Sequence, residues 1–170
     1  MRATVAAVMV LLAATGCSEP RGYEVPNQAC GVTVDPDLLT PFLPYGKELT
    51  QRSDDAGPES PRCRLSVDKK LVIYLSGDVV SKDTDPIEVQ DRALRRLGNP
   101  TAVDIGDDAR VADRGATAVA ACTYEGQQRK FVSLIQLQED LPDGTSERRN
   151  ALQSFLRSYF PEAMAQQGCK

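Results

Sequence analysis

Residues 109–138 read ARVADRGATAVAACTYEGQQRKFVSLIQLQ, and this stretch decides the fold class. β-Branched, aromatic and small apolar residues dominate at 109–112, 116–124 and 129–138, which predicts three strands. Arg114-Gly115 and Glu125-Gly126-Gln127-Gln128 carry the turn formers between them, so sequence neighbours connect as hairpins. Phe131, Leu134 and Ile135 break strict alternation, which calls for a bulge or for burial on both faces of the sheet.

Upstream, Cys63, Leu65 and Val67 alternate, Asp68-Lys69 supplies a polar turn, and residues 71–75 are rich in β-formers, giving a further hairpin. Residues 50–61 hold no large apolar side chain and gather Ser, Asp, Gly and Pro, so they read as an exposed loop. Three helices frame these strands. Asp35-Pro36-Asp37 is a capping residue, a proline suited to the first turn and an acid near the positive dipole end, ahead of Leu38, Leu39, Phe42 and Leu43; Pro41 and Pro44 keep the helix short. Thr84-Asp85-Pro86 opens a second helix with Val89, Ala93, Leu94 and Leu97 on one side, closed by Gly98 and Asn99-Pro100. A third runs from a cap at Thr145 or Ser146 through Leu152, Phe155, Leu156, Tyr159 and Phe160, until Pro161 ends or kinks it. Hairpins segregated from helices mean an α+β fold: an antiparallel sheet of about five strands with three helices packed on one face.

The first residues point to export. Arg2 precedes an apolar run over 5–14, and small Thr15 and Gly16 stand before Cys17, as in a signal peptide. The run is too short for a bilayer, which takes about 20 apolar residues. Ala14-Thr15-Gly16-Cys17 resembles the lipobox of bacterial lipoproteins, with Ala14 where Leu is commoner. That resemblance implies that Cys17 receives a diacylglycerol and becomes the mature N-terminus, held at the extracytoplasmic face of the cell membrane by its acyl chains. Residues 1–16 are then a signal peptide. Residues 17–29, polar and broken by Pro20, Gly22 and Pro26, read as a flexible tether, and 30–170 as a single extracytoplasmic domain.

Five cysteines fit that compartment. With Cys17 lipidated, Cys30, Cys63, Cys122 and Cys169 form an even set without a C-x-x-C spacing, which predicts two disulfides. Four cysteines permit three pairings. Cys30 with Cys63 and Cys122 with Cys169 is favoured, because each pair closes a contiguous piece of chain.

Together the lipobox, a cysteine before a Leu-Leu helix, a second cysteine opening a strand and the phrase Ile105-Gly106-Asp107-Asp108-Ala109 resemble a family of small uncharacterised actinobacterial lipoproteins, found in Streptomyces and Mycobacterium relatives. The likeness covers roughly residues 17–140 and implies an α+β domain with the first disulfide as its hallmark. Leu65 stands where the family pattern has Trp, and Cys122 and Cys169 are additions.

The chain contains no histidine. This removes Ser-His-Asp and Cys-His catalysis and the usual zinc and copper sites. A formal charge of −4 argues against a nucleic-acid partner. Asp104, Asp107 and Asp108 are three hard donors close in sequence, but the calcium-loop spacing is missing, and they read as acids that cap and solvate a turn. Arg92, Arg95 and Arg96 lie near one helix face, where guanidinium groups can hold phosphate or carboxylate, against the plainer reading of a solvated face. Leu152, Phe155 and Leu156 read as core before groove, and Tyr45, Tyr74, Tyr124 and Tyr159 are too scattered for a sugar platform. No cofactor is implied. The sequence therefore predicts a non-catalytic, membrane-anchored domain that binds an envelope protein, polymer or small ligand. The alternatives are a carrier of an apolar molecule in a pocket between sheet and helices, lined by side chains such as Leu94, Phe131 and Leu152, and a carboxylate-dependent hydrolase.

Overall fold

The structure, a computed structural model, describes residues 21–170. Cys17 and the signal segment lie outside the described residues. The elements run β1 (Gln28–Ala29), β2 (Val32–Thr33), α1 (Pro36–Leu39), a 3-10 turn (Thr40–Phe42), β3 (Leu49–Asp55), β4 (Pro61–Val67), β5 (Lys70–Ser81), α2 (Pro86–Arg96), β6 (Thr101–Ala102), β7 (Asp108–Val111), β8 (Gly115–Tyr124), β9 (Gln127–Leu137) and α3 (Thr145–Gln166). Seven strands make one antiparallel sheet in the order β3-β4-β5-β9-β8-β7-β6, and β1-β2 is a separate hairpin.

The α+β class holds, whereas the count of about five strands does not. β3 takes up residues 50–55 of the stretch 50–61 expected as a loop, together with Leu49, and pairs with β4 from Leu49 opposite Val67 to Asp55 opposite Pro61. As an edge strand of mostly exposed polar side chains, it owes its place to ladder hydrogen bonds and carries no apolar alternation to read. The opposite edge, β6, is two residues long. The hairpin turns obey local chemistry. Asp68-Lys69 and Glu125-Gly126 have positive φ at both positions, the geometry that matches a two-residue turn to strand twist. Glu125-Gly126 thus suffices where a four-residue turn to Gln128 was expected, and Tyr124 pairs directly with Gln127.

The helices occupy both faces, not one. On β8 and β9, Ala116, Ala118, Phe131 and Ile135 join the main core with Leu152, Phe155, Leu156 and Phe160 of α3 and Leu39 and Phe42 of the first helical segment. The alternate positions Val119 and Val132 join Ile87, and Leu134 joins Leu94 and Ala112, so α2 covers the reverse face. Two-sided burial explains why β9 does not alternate. It also corrects the stripe expected on α2: Val89 is 72% exposed, while Ile87 and Leu94 are buried.

The local signals act as read at the starts of α1 and α2; α3 instead begins at Thr145 after Gly144 and has no side-chain cap, so neither Thr145 nor Ser146 caps it. Asp35 caps α1 by accepting from the Asp37 amide at 2.9 Å. Asp85 caps α2 by accepting from Ile87 and Glu88 at 3.0 and 3.2 Å, with Pro86 at the first helical position. Pro161 does not end α3, which continues to Gln166. The buried stripe Leu152, Phe155, Leu156, Tyr159, Phe160 and Ala163 runs across the proline, and tertiary packing outweighs one missing backbone donor. A Schellman arrangement finishes the helix: Gly168 (φ +79°) donates to the Ala165 carbonyl at 2.9 Å and Cys169 to that of Met164 at 3.1 Å.

Both favoured disulfides are present, Cys30–Cys63 and Cys122–Cys169. The first ties the β1-β2 turn to β4, and the second ties the end of α3 to β8. Beyond the disulfide, Lys170 and Thr123 exchange hydrogen bonds of 2.6 and 3.0 Å in the manner of paired strands. Residues 21–29, expected as part of a free tether, are docked. Gly22 donates to the Gly46 carbonyl at 2.8 Å, and the Arg21 guanidinium donates to the carbonyls of Leu43 and Thr40 at 3.0 and 3.3 Å while lying 5.2 Å over the Tyr45 ring. Tyr23 donates to the Pro44 carbonyl, and Tyr23 and Val25 pack on the core. Among the described residues, no helix is long and apolar enough to cross a membrane.

Candidate functional site

A cavity of about 320 Å³ opens between the far end of the sheet, the β1-β2 hairpin and the last turns of α3. Its walls are Ala29, Val32, Pro61, Leu75, Phe131, Tyr159, Ala163 and the Cys30–Cys63 disulfide; Ser53, Asp54, Arg62, Gln166 and Gln167 stand among them. The lining is assembled from five separate pieces of chain.

Each piece is placed by a device already visible in the fold. The disulfide draws the β1-β2 hairpin over β4, where Cys63 faces the core. Gly77 of β5 leaves room for the Phe131 ring, which in turn lies against Phe160 with ring centroids 5.8 Å apart. Tyr159 stacks on Phe155 at 5.5 Å and presents its phenol near the cavity. Burial pushes the Tyr159 phenol well above its ordinary pKa, so it stays a neutral hydroxyl and a donor.

The charged groups at the cavity are ion-paired within the protein, although the buried Asp54 Oδ2 takes no hydrogen bond of good geometry. Arg62 donates to the Gly77 carbonyl at 2.6 Å and pairs with Asp78 at 2.7 Å. Asp54 bridges Arg52 at 3.0 Å and Arg64 at 2.8 Å. Gln167 donates to the Pro58 carbonyl. What the cavity offers a guest is therefore apolar wall, ring faces and a neutral hydroxyl, and no pair of converging acids.

Of the residues singled out in the sequence for a pocket, Phe131 lines the cavity. Leu94 lies on the reverse face under α2, and Leu152 is fully buried in the main core beside Phe155 and Leu156. The three aspartates are not brought together. Asp104 is exposed, Asp107 accepts from the Ala121 amide at 2.6 Å, and Asp108 pairs with Arg110. Among the described residues, no group of three His, Cys, Asp or Glu side chains is placed to hold a metal ion. Of the tyrosines, Tyr45 is exposed and Tyr159 buried, so they form no shared platform. Of the three arginines, Arg95 and Arg96 border a second recess, whereas Arg92 does not.

Sequence reasoning missed Gly77, Tyr159 and Ala163 as cavity residues. The one available signal was Gly77, a glycine among β-formers, which marks a close approach of something to the strand. Compared with models of protein families, with curated proteins and with solved structures, the chain matches none.

Proposed function

We propose that this chain is a lipid-anchored, extracytoplasmic binding protein that holds a small, largely apolar ligand in the cavity between β5, β9, the β1-β2 hairpin and the end of α3. The observation that carries the reading is the cavity itself: about 320 Å³, walled by Phe131, Tyr159, Ala163, Leu75 and a disulfide. That volume is at the lower end of the range for small-molecule sites. A non-catalytic role is supported by the pairing of Arg62 and Asp54 with other charged groups and by the absence of histidine from the chain. Anchoring through Cys17, and kinship with the actinobacterial lipoproteins, are proposed on the residues quoted above.

The test is direct binding of an apolar fluorescent probe, N-phenyl-1-naphthylamine, to the folded protein. Saturable binding at one site is expected, abolished by Ala163→Phe, which fills the cavity from α3. Binding that survives Ala163→Phe in a folded variant, or no saturable binding at all, would remove this reading.

A further inference from the structure

The second recess lies at the opposite end of the sheet, where the end of α2, the turn before β8 and the start of α3 meet. It has a volume of about 500 Å³, and its lining includes four arginines, Arg95, Arg96, Arg114 and Arg148, against two aspartates, Asp113 and Asp140. In a chain of net charge −4, this is a local reversal of sign.

Pairing sharpens the imbalance. Arg95 is held by Asp91 at 2.6 Å, and Asp113 is taken by Arg149 at 2.8 Å, so neither adds free charge. Arg114 and Arg148 are left to share the one carboxylate of Asp140, at 3.8 and 3.5 Å. Arg96 has no ion-pair partner among the described residues. The excess is two positive charges.

Arg148 makes the recess a built site. Its side chain is only 4% exposed, and its guanidinium is fixed by donation to the carbonyls of Asp113 and Pro142 at 2.6 Å each and of Asp143 at 3.2 Å. A buried guanidinium that shares its one carboxylate with Arg114 is under-neutralised, and an anion beside it completes the pairing. Planar forks of donors suit tetrahedral oxyanions, and the positive excess suits their negative charge.

We infer that this recess binds a phosphoryl group, with Arg96 and Arg114 closing on it and Arg148 fixed behind. Two sources carry that chemistry, a soluble phosphorylated molecule and the phosphodiester headgroups of the membrane. The second is near if Cys17 is lipidated. Arg21 and Gly22 dock on Leu43 and Gly46, beside the β4-β5 turn, and the ladders place that turn at the same end of the sheet as Arg114. Three residues separate Cys17 from Arg21, and the four Cα–Cα steps between them reach at most about 14 Å.

The experiment titrates sodium phosphate into the full chain, purified in detergent, and follows backbone amide shifts against sodium chloride at equal ionic strength. A saturable response at Gly98, Arg114 and Thr145 is expected, with a dissociation constant on the order of 1 mM. It should weaken about tenfold or more in Arg96→Ala/Arg114→Ala and stay unchanged in Lys82→Ala/Arg157→Ala, an equal loss of two charges outside the recess. In parallel, flotation of the Cys17→Ser chain with vesicles of phosphatidylcholine alone or with added phosphatidylglycerol separates the sources. Loss of flotation in the arginine double variant identifies headgroups, and phosphate binding without anionic-vesicle binding identifies a soluble ligand. No phosphate response beyond chloride, or an equal response in the folded double variant, overturns the site.

Discussion

Gly77 and Phe131 lie on neighbouring strands so close that a β-carbon at position 77 would stand 2.9 Å from the ring atoms Cε2 and Cζ. The ring borders the cavity, so the only slack available to it is the cavity volume. Gly77→Ala is therefore expected to push Phe131 into the cavity, with a modest stability loss of about 1–3 kcal/mol for overpacking. Probe binding should fall further than stability does. Full-strength binding in a folded Gly77→Ala protein would show that the ring does not gate the cavity.

Tyr159 is 5% exposed and borders the cavity. Tyr159→Phe removes one hydroxyl and leaves the ring packing in place, so the stability change at neutral pH is expected to stay within about 1 kcal/mol. Because burial raises the folded-state pKa, the neutral phenol stabilises fully below the unfolded value of about 10, and that contribution is lost as pH rises toward the folded value. Urea melts between neutral and strongly alkaline pH should show a steep alkaline loss in the parent that is shallower in Tyr159→Phe. Parallel profiles would contradict this.

Asp113 gives the opposite limb. Its hydrogen bond from Arg149 holds the carboxyl below the ordinary aspartate range. A depressed folded-state pKa stabilises above the unfolded value of about 3.9, and the contribution disappears as pH falls through the folded pKa. Asp113→Asn should cost about 1 kcal/mol at neutral pH and nothing once the parent is fully protonated, so the two stability curves converge in acid. A constant gap would assign the effect to packing beside Gly98 instead.

The two disulfides close spans of 33 and 47 residues. Chain-entropy reasoning gives each about 4 kcal/mol. Removing Cys30–Cys63 as a double alanine variant should also abolish probe binding, since the bond forms part of the cavity wall; removing Cys122–Cys169 should leave the cavity walls in place. Calorimetry with probe titration on both variants distinguishes them.

Cys17→Ser should move the protein from the membrane fraction to the soluble fraction, with the intact mass lacking the lipid. Unchanged detergent-phase partitioning would exclude anchoring at this residue.

Much of the fold was legible because it is written in local chemistry. Asp35-Pro36 and Asp85-Pro86 mark helix starts through their own side chains, and Asp68-Lys69 marks a turn. The disulfide pairing followed from contiguity. β3 stayed hidden because its strand state is decided by β4 across the ladder. The placement of α2 stayed hidden because Val119 and Val132 look like any strand apolar residue until the opposite face is known. The cavity was least legible of all. Phe131 could be proposed for it, but Gly77, Tyr159 and Ala163 come together only when β5 and the end of α3 are packed, and no spacing within one segment records that.

The exchange of hydrogen bonds between Thr123 and Lys170 has a further consequence. Past Val119, β7 no longer covers β8, and the exposed amides there are met instead by the Asp107 carboxylate at Ala121 and by Lys170 at Thr123. Cys122–Cys169 holds the second of these plugs in place. An open strand edge is a template for another chain, all the more at the local concentration that the proposed anchor at Cys17 would give. Reduction of this one bond is thus expected to turn a self-contained sheet into a sticky one, so that the disulfide keeps neighbouring copies apart.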